Sequence, residues 1–171
     1  MTVGPRFTVL DVGCGGGRTI QTLADRATEG KVCGIDYSGT SVSVARRTNA
    51  AAIAAGRVAI EQASVSKLPF PDATFDLVTA VETHYYWPAP ESDLREIARV
   101  LKPGGRLMLI AETYRGQRFG AIVGVAMTLL RARYLTVQQH QDLLTAAGFT
   151  EVAVDTERTK GWICAVGRRP A

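Results

Sequence analysis

Short apolar runs alternate with amphipathic stretches along the chain. The apolar runs are rich in β-branched residues and predict buried strands at 7–12, 31–36, 57–62, 77–81 and 106–111. In most of the segments between them, apolar residues repeat every three or four positions, which is the spacing of an amphipathic helix. This alternation of strands and helices predicts an α/β domain with a mostly parallel sheet.

The same spacing predicts four helices, at 19–27, 38–55, 90–101 and 136–147. Lys-Pro-Gly-Gly at 102–105 is expected to end the third helix, since proline and glycine do not continue a helix. The fourth helix is expected to begin with a capping box, because Thr136 and Gln139 have the required spacing.

Two further strand-like segments, 149–155 and 161–166, close the chain. The link between them is too short for the crossover helix that parallel strands require. They therefore predict an antiparallel hairpin at the edge of the sheet, which separates this sheet from that of a dinucleotide-binding Rossmann fold.

A glycine-rich turn at 13–17 joins the first strand to the first helix. Such a turn lets a ligand approach the backbone, and the helix points its N-terminal amides to the same place. The dinucleotide fingerprint would need glycine at 18, where this chain has Arg18. The carboxylate of Asp11 is also unfavourable so close to the phosphates of a dinucleotide. A carboxylate beside exposed amides suits a zwitterion, whose ammonium it can hold directly or through water.

Three stretches together resemble the small-molecule branch (methyltransferase type 11) of the class I S-adenosylmethionine-dependent methyltransferases. They are the glycine motif at 9–17, the Leu-Pro-Phe-Pro-Asp loop that begins at 68, and the run at 94–110 that contains Lys-Pro-Gly-Gly. The resemblance extends from Val9 to the C-terminus. It implies a seven-stranded sheet in the order 3-2-1-4-5-7-6, with the C-terminal hairpin antiparallel and helices on both faces.

The resemblance also implies S-adenosylmethionine as the cofactor and in-line attack of an acceptor O, N, S or C on its methyl group. The residues implied to bind it are Asp11, Gly13, Cys14, Gly15 and Gly17 at the methionine end, Asp36 at the ribose, Tyr37, Ser64 and Val65 at the adenine, and Val81 and Glu82 beside the methyl group. The chain departs from the family at Ser64, where an aspartate is common, although a hydroxyl can still accept from the adenine amino group. Asp36 has a second interpretation, as a helix cap or a solvated turn residue.

The acceptor pocket is expected in the aromatic segment after the fourth strand, since aromatic rings suit a sulfonium cation and wall small-molecule pockets. The residues assigned to it are His84, Tyr85, Tyr86, Trp87 and Tyr114. His84 is the candidate general base, because its ordinary pKa leaves it mostly neutral at physiological pH. Two alternatives stay open: the aromatic residues pack the loop, or methyl transfer to a good nucleophile proceeds without a base.

Composition narrows the range of partners. The net charge is +4, and the lysines and arginines are scattered, so a small-molecule acceptor is expected and a nucleic-acid partner is not. Three cysteines without metal-ligand spacing indicate reduced thiols in a cytoplasmic protein and no metal site. No apolar run is long enough to span a membrane. The apolar segment 119–130 has three interpretations: core, a lid over an apolar acceptor, or a homodimer or membrane-surface contact.

The length of 171 residues predicts a single methyltransferase domain covering 1–171. The first strand begins about six residues after Met1, whereas proteins of this fold generally carry cap helices there, so the N-terminal cap helices are expected to be absent through truncation or in a minimal core. Two other functions stay open at this stage: a non-catalytic S-adenosylmethionine-binding module and a nicotinamide-dependent oxidoreductase.

Overall fold

A computed structural model of the chain describes residues 3–115, 127, 129, 132–157 and 161–171. Its strands are β1 (Thr8–Val12), β2 (Lys31–Asp36), β3 (Val58–Gln62), β4 (Phe75–Val81), β5 (Leu101–Ala111), β6 (Thr150–Glu157) and β7 (Trp162–Arg168). They form one sheet in the order β3-β2-β1-β4-β5-β7-β6. Pairing is parallel from β3 to β5, and β7 runs antiparallel to both β5 and β6. The predicted strand order and terminal hairpin are confirmed.

The helices cover both faces of this sheet, as predicted. They are α1 (Arg18–Arg26), α2 (Gly39–Thr48), α3 (Ala50–Ala54), α4 (Pro90–Val100) and α5 (Val137–Ala146), and a short 3-10 turn spans His84–Tyr86. Buried side chains of α1 and α2 pack with Val9 and Leu77 on one face. Buried side chains of α4 and α5 pack with Leu10 and Val78 on the other. Adjacent residues of one strand thus belong to opposite cores, as expected for a central strand buried on both faces.

The helix predicted at 38–55 is in fact two helices, α2 and α3, which meet at Asn49. The buried amide Nδ2 of Asn49 donates to the carbonyl of Gly17 at 2.9 Å and to that of Ala45 at 3.0 Å. An asparagine side chain that bonds nearby backbone competes with the helical ladder, which explains the break. The contact also ties the end of α2 to the glycine turn.

The second difference concerns the start of β5, which the sequence predicts at 106, after Lys-Pro-Gly-Gly. β5 begins already at Leu101, and this residue pairs with Phe75 of β4. The register between β4 and β5 then shifts before Leu77 pairs with Arg106. Lys-Pro-Gly-Gly is therefore accommodated as an irregularity within the strand, which is where glycine and proline are tolerated in a sheet.

The loop before β4 is held by α4. The guanidinium of Arg99 donates to the carbonyls of Leu68 and Phe70 and to the carboxylates of Asp72 and Glu96. Glu96 in turn accepts from the amide of Leu68 at 2.8 Å. These contacts explain why the Leu-Pro-Phe-Pro-Asp loop and the α4 motif occur together in the sequence.

The capping box predicted at the start of α5 is confirmed by both of its hydrogen bonds. The hydroxyl of Thr136 accepts from the amide of Gln139 at 3.1 Å, and Gln139 Oε1 accepts from the amide of Thr136 at 2.9 Å. None of the described helices has the length and apolar character that a membrane span requires. Apart from 127 and 129, the segment 119–130 lies outside the described residues, and the homodimer contact assigned to it stays a prediction.

We predict that Gly17→Ala lowers the free energy of unfolding by about 2 to 4 kcal/mol. Gly17 has φ +81°, and a Cβ there would lie 2.9 Å from Ala45 Cα and 2.5 Å from Asn49 Nδ2. Gly16→Ala is the matched control, because its Cβ would meet only Val44 Cγ1 at 3.7 Å. Urea unfolding of the two variants measures the difference, and equal losses would contradict this account of the turn.

Candidate active site

The carboxyl ends of β1, β2 and β4 meet at one edge of the sheet, as the ends of parallel strands at a topological switch point do. A cavity of about 680 Å³ opens there. It is lined by residues from these strand ends, from the segments that follow them and from the segment after β3: Val12, Gly13, Gly15, Ile35, Asp36, Tyr37, Ala63, Ser64, Val65, Val81, Glu82, Thr83, Tyr86, Trp87 and Pro88. This volume is in the range of small-molecule and cofactor sites.

The glycine turn is fixed by hydrogen bonds to the end of β2. The amides of Gly13 and Cys14 both donate to the carbonyl of Ile35, at 2.8 and 2.9 Å. The amide of Gly15 donates to Asp36 Oδ2 at 2.9 Å. Gly13 has φ +73°, and a Cβ there would lie 2.2 Å from the hydroxyl of Thr83, so only glycine fits between the turn and the segment after β4.

Asp36 lines the cavity, and its carboxylate also holds the backbone next to it by hydrogen bonds. Besides accepting from Gly15, its carboxylate accepts from the amide of Ser38 through Oδ1 at 2.8 Å. Ser38 is the N-cap of α2, and its hydroxyl accepts from the amide of Ser41. The two oxygens keep further lone pairs on the cavity side, which suits a pair of vicinal hydroxyls. The turn interpretation and the binding interpretation of Asp36 are therefore compatible.

Asp11 lies behind the glycine turn and does not line the cavity. It is 2% exposed and accepts a hydrogen bond from Thr79 Oγ1 at 2.7 Å. Burial raises the pKa of Asp11 to about 7; the Thr79 hydrogen bond lowers it, and the charge of Asp36 raises it. A carboxyl of this kind is close to half-ionised at neutral pH.

Negative charge dominates the cavity. Among the described lining residues, the charged side chains are Asp36 and Glu82, and there is no lysine, arginine or histidine. Glu82 has φ +58°, a backbone conformation that is strained for a residue with a side chain. Its carboxylate accepts from the amide of Glu112, and burial raises its pKa. A cationic ligand fits this environment better than an anionic one.

Two separate segments, one after β2 and one after β4, border the cavity with aromatic side chains. Tyr37 stands at one end and is 82% exposed, next to Ser64 and the buried Val65. The hydroxyl oxygen of Ser64 accepts from the amide of Ser66 at 3.2 Å. At the other end, Tyr86 is 59% exposed and Trp87 is buried. Aromatic rings thus border the cavity on both sides.

The structure brings only some of the predicted residues to the cavity. The predicted residues that do not line it are Asp11, Cys14, Gly17, His84, Tyr85 and Tyr114. Tyr85 and Tyr114 belong to a separate apolar cluster with Met127 and Ile163. The amides of Gly13, Cys14, Gly15 and Gly17, expected to meet a ligand carboxylate, all donate within the protein.

His84 forms a buried pair with His140 of α5, with their Nε2 atoms 3.0 Å apart. His140 Nδ1 lies 2.8 Å from the carbonyl of Thr136, which can only accept, so His140 carries its proton on Nδ1. His140 Nε2 is then the acceptor and His84 Nε2 the donor. His84 Nδ1 is left without a proton and without a partner among the described residues. Burial and the neighbouring His140 lower the pKa of His84 to about 3.

Sequence reasoning missed two residues that shape this site. Thr79 donates a hydrogen bond to Asp11, and Asn49 donates one to the carbonyl of Gly17. Thr83, within the segment expected beside the methyl group, lines the cavity and packs on Gly13. Thr79 lies in an apolar strand, where threonine is an ordinary strand residue, so its sequence position gives no signal. Only the register of β1 against β4, which pairs Asp11 with Thr79, identifies its partner.

Comparison with known proteins decides the family. Residues 10–109 match the methyltransferase domain family, which is more than half of the chain. The chain belongs to this family. Its fold is that of the class I S-adenosylmethionine-dependent methyltransferases, and S-adenosylmethionine is the cofactor of that class.

Two relatives show how far the similarity of this methyltransferase domain extends. Methyltransferase GfsG of Streptomyces halstedii is 35% identical over 160 residues, which is 88% of this chain and 57% of the relative. The 27-O-demethylrifamycin SV methyltransferase of Amycolatopsis mediterranei is 41% identical over 101 residues, which is 59% of this chain and 37% of the relative. The chain thus spans about half the length of these relatives or less.

Solved structures agree with the family on the fold. A methyltransferase in complex with the Trm112 methyltransferase activator of Haloferax volcanii has a TM-score of 0.87 at 24% identity, over 100% of this chain and 86% of that chain. An S-adenosylmethionine-dependent methyltransferase of Aquifex aeolicus has a TM-score of 0.79 at 23% identity, over 98% and 84% of the two chains.

We predict that the histidine pair makes the domain less stable as the pH falls below 6.5. Both pKa values are lowered in the folded state, so the unfolded chain binds more protons between about pH 3 and 6.5. Asp11 acts in the opposite sense, because its pKa is raised on folding. The measurement therefore uses an Asp11→Asn background, where the free energy of unfolding should fall by about 1 to 3 kcal/mol from pH 7 to pH 5.

The control for this prediction replaces both histidines in the same background, as His84→Leu with His140→Leu. The chain has two histidines in all, so this variant removes every imidazole. Its free energy of unfolding should change little over the same pH range. An equal loss of stability in both proteins would show that the pair is not responsible.

Proposed function

We propose that this protein transfers the methyl group of S-adenosylmethionine to a small-molecule acceptor. One observation carries the proposal: the cavity beside the glycine turn is lined by two carboxylates and, among the described residues, by no cation. S-adenosylmethionine carries a sulfonium and an ammonium group, and it supplies an electrophilic methyl group. A dinucleotide brings phosphates, which two carboxylates would repel. The nicotinamide-dependent alternative is therefore set aside.

The residues present fit this cofactor. Asp36 is placed to accept from the two ribose hydroxyls, and Tyr37, Ser64 and Val65 border the adenine end. The amides of the turn at 13–15 are engaged within the protein, which leaves the first turn of α1 to donate to the cofactor carboxylate. This helix has no side-chain cap and no acidic residue in its first turn. Asp11 is buried behind the turn and does not line the cavity, so in this proposal it interacts with the ammonium across a water.

Tyr86, Trp87 and Pro88 form the acceptor side of the proposal. Their apolar surfaces exclude water and favour an acceptor with an aromatic or aliphatic body. Catalysis then comes from holding the nucleophile in line with the methyl group. The general base predicted at His84 stays a prediction: its ring lies outside the cavity lining and, with a pKa near 3, is a weak base.

The relatives support the class of acceptor. One is named for a demethylrifamycin, and another, at 37% identity over 102 residues, is the O-methyltransferase resE of Aspergillus sclerotiorum. Both names point to small organic acceptors for those proteins. For this chain we propose a small molecule, with a cytoplasmic location and no nucleic-acid partner. A non-catalytic binding module is the remaining alternative, and release of S-adenosylhomocysteine from S-adenosylmethionine in the presence of an acceptor would exclude it.

We predict that Asp36→Asn weakens binding of S-adenosylhomocysteine by about 10- to 100-fold, because one carboxylate supports both the ribose hydroxyls and the turn. Calorimetric titration of the full chain measures the affinity, and NADH is the competing ligand class. Asp25→Asn on the exposed side of α1 is the matched control and should bind like the wild type. Binding of NADH in place of S-adenosylhomocysteine would overturn the proposal.

A further inference from the structure

The hydrogen bond between Thr79 and Asp11 lies at the centre of the sheet. The two residues are register partners on the parallel neighbours β1 and β4, and both side chains are buried. Thr79 Oγ1 donates to Asp11 Oδ1 at 2.7 Å. The next two residues of the chain after Asp11, Val12 and Gly13, line the cavity. Asp11 is therefore next to the part of the chain at which we propose the methionine end.

None of the described groups that act on the ionisation of Asp11 carries the opposite charge. On the β2 side, the group that acts on it is Asp36, whose negative charge opposes ionisation. On the turn side it faces the thiol of Cys14, whose pKa is raised to about 12 by burial and by Asp11 and Asp36, so the thiol stays neutral. On the β4 side it faces the hydroxyl of Thr79. Among the described groups that act on its ionisation, Thr79 is the one that favours the charged form.

We propose that Thr79 is a positioning residue for the cofactor: its hydroxyl holds the Asp11 carboxylate in the ionised form and orientation that receive the cofactor ammonium. This inference rests on the proposed function. The buried carboxylate is then neutralised by the bound cofactor and not by a lysine or arginine among the described residues. Without the ligand, Asp11 is protonated in a growing fraction of molecules as the pH falls through about 7.

A measurable consequence is the release of a proton on binding. The Asp11 carboxyl loses its proton to the solvent, and the resulting carboxylate pairs with the ammonium, which stays protonated. With the pKa of Asp11 raised to about 7, the complex should release about three quarters of a proton at pH 6.5 and about a tenth at pH 8. The affinity should accordingly rise about threefold to fourfold from pH 6.5 to pH 8.

The experiment titrates the full chain with S-adenosylhomocysteine in two buffers of different ionisation enthalpy, phosphate and imidazole. The difference between the two apparent enthalpies gives the number of protons released. Asp11→Asn is the reference, because it keeps a partner for Thr79 but has no proton to lose.

Substitutions at Thr79 then separate positioning from packing. Thr79→Val keeps the shape but removes the donor, so the affinity at pH 7 should fall about tenfold. The loss also raises the pKa of Asp11 further, so proton release at pH 8 should grow to about half a proton. Thr79→Ser restores the hydroxyl and should bind within about threefold of the wild type. Thr150→Val, in the edge strand β6, controls for loss of a strand hydroxyl elsewhere.

The outcomes distinguish the two levels of the argument. A folded wild type that does not bind S-adenosylhomocysteine overturns the proposed function and this inference together. Binding without proton release at pH 6.5, or with release equal to that of Asp11→Asn, overturns the inference alone. If Thr79→Val has the wild-type proton count at both pH values, Asp11 ionises without help from Thr79. A lower melting temperature in Thr79→Val with an unchanged proton count indicates packing only.

Discussion

The site depends on the hydrogen bonds that join the glycine turn to the end of β2. The carbonyl of Ile35 accepts from two successive amides, and the carboxylate of Asp36 accepts from the amide of Gly15. These bonds fix the conformation of a turn whose glycines could otherwise adopt many backbone conformations. They also bring the carboxylate of β2 to within a hydrogen bond of the turn that follows β1. On its other side the turn lies against the segment after β4, because Gly13 approaches Thr83 so closely that no side chain fits between them.

The charge of the site determines which class of ligand fits this geometry. A glycine turn at the end of a first parallel strand serves dinucleotides as well as S-adenosylmethionine, so backbone shape does not separate the two. The separation comes from Asp11, Asp36 and Glu82, which collect negative charge at one sheet edge in a chain whose net charge is +4. Placing like charges together without a protein cation is unfavourable for the free protein. A ligand with fixed positive charge removes part of that cost, and a phosphate adds to it.

Much of the fold follows from the sequence, because two regular spacings of apolar residues set the strands and helices and the short final link sets the hairpin. The break at Asn49 does not follow, since it arises from a contact with Gly17, 32 residues away in the chain. Nor does the early start of β5, where pairing with β4 overrides the local signal of proline and glycine. In the site, Asp36 and Glu82 line the cavity, in agreement with their places after strand ends and with the family resemblance. Whether a residue faces the cavity or lies behind the turn, as Asp11 does, depends on packing that the sequence does not display.

Asp11 shows how stability and binding oppose each other here. A carboxyl with a folded pKa near 7 is more easily ionised in the unfolded chain, so at neutral and higher pH its charge works against folding. An amide at this position would remove that cost, yet it could not pair with an ammonium. The protein keeps the acid and gives it one hydroxyl, that of Thr79, rather than a lysine or arginine. A resident cation would stabilise the free protein but would occupy the charge that the ligand has to meet. In our proposal, a buried carboxylate that no protein cation neutralises therefore gains the most free energy from pairing with a cationic cofactor.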